Sequence, residues 1–80
     1  MSDVDQLYFG IVIWFSGTYG FIEWEIDGVK QKDIFCYYLD INTENKKVFK
    51  SLHKGQKASF NIGTNNRGEP KAINISVLNN

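Results

Sequence analysis

Two short runs in this chain, Tyr19-Gly20-Phe21-Ile22 and Ile34-Phe35-Cys36-Tyr37-Tyr38, carry aromatic rings at alternate positions. Successive side chains of a strand point to opposite faces, so Tyr19 and Phe21 share a face, as do Phe35 and Tyr37, while Ile22, Ile34 and Cys36 point away from them. If the strands pair with Phe21 opposite Phe35, Tyr19 falls opposite Tyr37. Four rings then tile one side of a sheet, and the aliphatic side becomes core. A chain of 80 residues has a small core and little reason to put rings on both faces unless the second set has a partner. Single strands of RNA or DNA, whose bases offer flat π faces, suit such an arrangement.

The rest of the chain reads as short strands divided by turn clusters. Residues 1–6 are a polar lead-in expected to fray. Leu7 to Phe15 is almost continuously apolar, and because both parities are apolar, alternation leaves Trp14 and Phe15 equally open to core and to surface. Ser16-Gly17-Thr18 turns the chain into a second strand, Tyr19 to Ile26, with Ile22, Trp24 and Ile26 on the core parity. Asp27-Gly28 is a strong hairpin signal, since both residues tolerate positive φ. A strict two-residue turn pairs Ile26 with Val29, however, and that register sets Phe21 opposite Ile34, putting ring and core faces in conflict. Keeping rings opposite rings requires a three-residue loop with a bulge, or a bulge near Gln31-Lys32.

The third strand, Lys30 to Tyr38, leads into a polar loop from Leu39 to Lys47 with room for a helical turn at its start. Gly55-Gln56 then opens a fourth strand with Ala58, Phe60 and Ile62 inward and Lys57, Ser59 and Asn61 towards water. Gly63 to Lys71 is turn-rich, and a fifth strand alternates Ile73, Ile75 and Val77 with Asn74 and Ser76. Without a convincing helix, the pattern predicts one all-β barrel or sandwich over residues 7–78.

Chemistry narrows the function. Apolar residues make up 42% of the chain, too many for a disordered segment. Nine basic and nine acidic residues cancel, so no global field attracts a polyanion and stacking or local patches must supply the affinity. No nucleophile stands with a base, His53 is alone, and no Gly-rich loop precedes a helix; neither an enzyme nor a cofactor or metal is expected. Cys36 is the single cysteine, no apolar targeting segment precedes the first strand, and no apolar run could cross a membrane. A cytoplasmic monomer without membrane contact is the expectation.

The two aromatic runs resemble the paired nucleic-acid-binding motifs of the cold-shock domain family, whose usual forms are Lys-Gly-Tyr/Phe-Gly-Phe-Ile and Val-Phe-Val-His-Phe. The resemblance extends through Gly10-Ile11-Val12-Ile13-Trp14-Phe15, Phe49-Lys50-Ser51-Leu52, Gly55-Gln56, Arg67-Gly68 and Ala72-Ile73-Asn74-Ile75, in family order and at near-family spacing. It implies a five-stranded antiparallel Greek-key barrel of the oligonucleotide-binding type, the OB-fold, with the ligand on the second and third strands. It places Trp14 and Phe15 on the ligand surface with Tyr19, Phe21, Phe35, Tyr37 and Tyr38, and makes Phe49 a loop ring that closes over a base. Tyr37 or Tyr38 could instead pack under the following loop. Lys30, Lys32, Lys50, Arg67 and Lys71 are the candidate phosphate contacts, with ordinary loop charge the alternative for Arg67 and Lys71.

Several positions depart from the family pattern. The Ser16-Gly17-Thr18 turn is two residues short, Ser16 stands for an Asn, the Lys before the Gly-aromatic pair is missing, Ile13 replaces a Lys, Tyr37 replaces the His, and Glu69 resembles an insertion. The resemblance implies a low-selectivity binder of single-stranded RNA or DNA that acts as an ATP-independent RNA chaperone, with roughly micromolar affinity. The alternative, favoured by zero net charge and the missing loop Lys, is a protein-interaction or structural barrel with weak or no nucleic-acid binding.

Overall fold

A computed structural model describes residues 6–42 and 51–78, and its regular structure is all strand apart from a single 3-10 turn at Tyr38–Asp40. Strand β1 spans Tyr8–Phe15, β2 Tyr19–Ile26, β3 Val29–Lys30, β4 Ile34–Tyr37, β5 Lys57–Thr64 and β6 Pro70–Val77. The order around the sheet is β1-β5-β6-β4-β2, and β2 returns to β1. Five strands therefore close into a barrel consistent with the OB-fold, and β3 prolongs the arm of β2 beyond it. One seam departs from the expected antiparallel pattern: β4 and β6 run parallel, with Phe35 beside Lys71 and Cys36 beside Ala72. No hairpin joins these two strands, so no tight turn dictates their relative direction.

The core is the aliphatic side foreseen from the two runs. Val12, Ile22, Cys36, Ala58, Phe60, Ala72 and Ile75 are fully enclosed, and Ile34, Ile41 and Leu52 nearly so. Tyr8, Trp24 and Phe60 meet ring to ring at centroid distances of 5.1–6.1 Å. Trp24 is buried, as its parity required, and its indole N–H donates to the Lys32 carbonyl at 2.9 Å.

That hydrogen bond marks the irregularity the hairpin demanded. Asp27 and Gly28 adopt φ of 50° and 82° and form a strict two-residue turn, with Ile26 opposite Val29 and Glu25 opposite Lys30. Gln31 still donates its N–H to the Trp24 carbonyl, but by Ile34 the register has slipped by one, giving Ile22 opposite Ile34 and Phe21 opposite Phe35. The extra residue lies at Lys32-Asp33, next to the expected bulge, and it divides the third strand into β3 and β4. Ile26 sits out on the hairpin arm and is exposed rather than core.

A second slip corrects the reading of the last two strands. Ser59 faces Ser76 while Asn61 faces Ile73, so β6 holds one residue more than β5 at this point. Asn74 takes it up with φ of 52°. Beyond the bulge the parity inverts, and Ala72 and Ile75 are the enclosed residues in place of a regular Ile73, Ile75 and Val77 series. Ser59 and Asn61 do not face water. Asn61 donates to the Gln6 carbonyl at 2.7 Å and accepts from Asn74 Nδ2 at 2.8 Å, which roofs it over. β5 also continues through Gly63 to Thr64, past the point where turn residues suggested it would end. Residues 1–5 and 43–50, covering most of the lead-in and of the polar loop, lie outside the described residues.

Candidate nucleic-acid interface

The rings of β2 and β4 fall into the register their spacing required. Tyr19 lies opposite Tyr37 and Phe21 opposite Phe35, with buried Gly20 and Cys36 between them on the inner side. Phe35 is the hub. Its ring centroid stands 5.9 Å from Tyr19, 6.1 Å from Phe21 and 6.5 Å from Tyr37. Tyr38 follows at 4.9 Å from Tyr37, tilted by 59° and packed in part against the core, its N–H donating to the Thr18 carbonyl at 2.8 Å.

Trp14 reaches the same face because β1 is irregular. Val12 is opposite Ile22, both in the core, yet Trp14 is opposite Phe21, so Ile13 is an extra residue and the strand changes parity there. A regular strand would keep Val12 and Trp14 on one side. The bulge instead turns Trp14 outward, 46% exposed, against Tyr19 at 5.2 Å and Phe21 at 6.5 Å. The same slip corrects the placement of Phe15. It lies opposite Gly20 and packs half-buried against the core, away from the ring row. Gly20 admits this close approach because a Cβ there would stand 2.1 Å from the Trp14 carbonyl oxygen and 2.8 Å from Phe15 Cα.

The short turn between β1 and β2 is closed by Ser16 in the place of the family's Asn. Its N–H donates to the Tyr19 carbonyl at 2.8 Å, and its Oγ accepts from the N–H groups of Thr18 and Tyr19 at 3.2 Å. One hydroxyl thus holds the start of β2, and with it Tyr19, without the longer loop.

The cations are less concentrated than the rings. Lys30 sits on the hairpin arm, where Glu23 Oε1 at 3.0 Å holds its ammonium pKa above the usual lysine value, first through the hydrogen bond and then through charge. Lys71 lies beside Phe35 in register but pairs with Asp40 at 3.2 Å. Lys32 and Arg67 are exposed and make no ion pair among the described residues. Phe49 and Lys50 lie outside the described residues.

The sequence did not disclose a groove of about 560 Å³ that continues the row past Phe21 and Phe35, walled by Lys32, Asp33, Asn65, Glu69 and Pro70. The turn chemistry of Asn65-Asn66-Arg67-Gly68 was the available signal. Asn65 Oδ1 accepts from the N–H groups of Arg67 and Glu69, both at 2.9 Å, which folds the β5–β6 loop back beside the platform. Among the described residues no group of three or more His, Cys, Asp or Glu could hold a metal ion, and no helix is long and apolar enough to cross a membrane.

Trp14, Tyr19, Phe21, Phe35 and Tyr37 thus form a row on the outer wall of a small closed barrel, with Tyr38 at its end. Residues 8–78 match the family model described as the "'Cold-shock' DNA-binding domain". The chain belongs to the cold-shock domain family. It is 42% identical over 69 residues to the major cold shock protein CspA of Bacillus cereus, covering 86% of this chain and 94% of that one. It is 43% identical over 71 residues to cold shock protein CspB of Geobacillus stearothermophilus, covering 86% and 96%. A cold shock-like protein of Aquifex aeolicus is 41% identical over 71 residues, covering 86% and 91%. Cold-shock domains are a nucleic-acid-binding, non-enzymatic family.

Proposed function

We propose that residues 7–78 form a cold-shock domain that binds single-stranded RNA or DNA with low sequence selectivity, by stacking bases along Trp14, Tyr19, Phe21, Phe35, Tyr37 and Tyr38, and that it acts as an ATP-independent RNA chaperone in the cytoplasm. The observation that carries this reading is the contiguous ring row, with neighbouring centroids 4.9–6.5 Å apart on a face the core does not need. Every base has a π face, so stacking on such a row tolerates sequence, and each stacked base contributes roughly 1–3 kcal/mol. Binding favours the unpaired state by mass action, and opening RNA structure in this way needs no nucleotide hydrolysis. Lys32 and Arg67 supply phosphate contacts at the rim, and Lys50 and Phe49, which lie outside the described residues, are a further phosphate contact and a further ring in this reading.

The test is a fluorescence titration with short oligo-dT and oligo-U. Trp14 is exposed within the row and reports contact, whereas Trp24 is 8% exposed and supplies background, so a Trp14→Phe control isolates the signal. Saturable quenching at micromolar strand, absent with duplex of the same length, is the expected result. No quenching and no competition by either oligomer would return the chain to the reading of a protein-interaction barrel.

A further inference from the structure

The outer wall of β1 carries an apolar strip that the ring row does not use. Phe9 and Ile11 share the outward parity of β1 and are 57% and 43% exposed, and Leu78, directly after β6, is 36% exposed. Together they border a shallow groove of about 470 Å³. Scattered exposed apolar side chains are ordinary, but a contiguous strip along a groove is a contact surface.

Its two flanks carry opposite charge. Glu23 and Glu25 line the β2 side, and Lys57, opposite Ile11 in the register of β5, lines the other. Glu23 is already paired with Lys30, whereas Glu25 and Lys57 make no ion pair among the described residues.

We propose that this strip is the contact between two copies of the chain, related by a two-fold axis that runs along β1 in the plane of the interface. A two-fold contact sets a patch against itself. Rotation about an axis along the strand lays Phe9 and Ile11 on their counterparts and sets the acidic β2 flank of each copy, with Glu23 level with Lys57 and Glu25 two residues along, against the Lys57 flank of the other. Rotation about an axis across the strand would set acid against acid, so the charges select the first arrangement. Zero net charge leaves no overall repulsion between copies. Three exposed apolar side chains and their flanking charges make a contact smaller than the roughly 800 Å² per partner of a standard interface, so the association is reversible, with a dissociation constant on the order of 10⁻⁴ M. The monomer expected from the sequence then describes dilute protein. The arrangement also brings the Trp14 ends of both barrels to the same end of the dimer.

Sedimentation velocity from about 10 μM to about 1 mM, bracketing that dissociation constant, tests this. The weight-average mass should climb from monomer towards dimer, and Ile11→Lys should hold it at monomer. Glu25→Lys and Lys57→Glu should each weaken association about tenfold, and the double swap should restore it, because acid again meets base. Oligo-dT binding, which uses the separate ring row, checks that each variant is folded. Monomer mass at every concentration would overturn the proposal and leave the strip to a different protein. Association that survives Ile11→Lys, or single charge variants that the double swap fails to rescue, would overturn it as well.

Discussion

Truncating Phe35 to Ala tests the ring row at its hub. The change removes one stacking surface and the ring contacts to Tyr19, Phe21 and Tyr37 at 5.9, 6.1 and 6.5 Å. One base loses stacking worth about 1–3 kcal/mol. Because the lost ring also holds its neighbours in place, the upper half of that range applies, which is roughly 30–150-fold in Kd. Stability falls too, since Phe35 is half-buried among the other rings rather than standing free in water. A buried Phe→Ala costs about 3–5 kcal/mol, and half-burial brings this to about 2 kcal/mol. Affinity must therefore be measured at low temperature beside a urea melt of the same sample. Phe35→Leu separates the two effects: it keeps most of the volume and loses the π face, so it should recover most of the stability and little of the affinity. A folded Phe35→Ala with wild-type affinity would refute the assignment of the face, and full affinity in Phe35→Leu would refute stacking as its mechanism.

Three further outcomes follow from the same structure. With Lys30 and Lys71 paired, log affinity should fall with log salt at about −0.7 per phosphate, hence about −2.1 for contacts by Lys32, Arg67 and Lys50; a slope as steep as that of a strongly basic binder would show that the ion pairs break on binding. With Tyr37 in the place of an imidazole, binding should be nearly flat between mildly acidic and neutral pH, and Tyr37→His should gain affinity on the acid side, where imidazolium attracts phosphate, while Tyr37→Ala should lose about as much as another ring; titrations across pH decide it. Burial pushes the Cys36 thiol up to about 11 from 9.0, against a smaller opposing effect of a backbone hydrogen bond from Gly20. Above pH 9 the unfolded chain ionises while the native one keeps its proton, so stability should fall as pH rises through that window, by at most about 2–3 kcal/mol, and urea melts of Cys36→Ala should lack this component.

The parts of the fold legible in the sequence were those where alternation was clean. Phe21 and Phe35 shared a parity opposed by Ile22, Ile34 and Cys36, and this alone required the register slip found at Lys32-Asp33. Where both parities are apolar, as from Leu7 to Phe15, no pattern could show that Ile13 is supernumerary, so alternation left Trp14 and Phe15 equally open and only the family resemblance placed both on the ligand surface, whereas the bulge puts Phe15 on the core parity. The bulge at Asn74 was hidden for a related reason: Ile73, Ile75 and Val77 alternate convincingly, and only the positive φ of Asn74 reveals that the alternation is broken. Burial of Asn61 involves Gln6 and Asn74, which are distant in sequence and contribute backbone or amide groups that hydropathy does not register.

The unpaired residue in β1 makes register, more than residue identity, the thing that points Trp14 outward. Its neighbour is also aromatic, so the strand is tolerant of its own reading errors. A register that paired Ile13 with Phe21 instead of bulging it out would turn Trp14 inward opposite Gly20 and present Phe15 in its stead, leaving a smaller ring on the outer wall rather than none, whereas deleting Ile13 would only remove the bulge and keep Trp14 opposite Phe21. Adjacent aromatics at a bulge act as a spare, so that a shift of register in this strand does not by itself strip the ring from the surface that the strand displays.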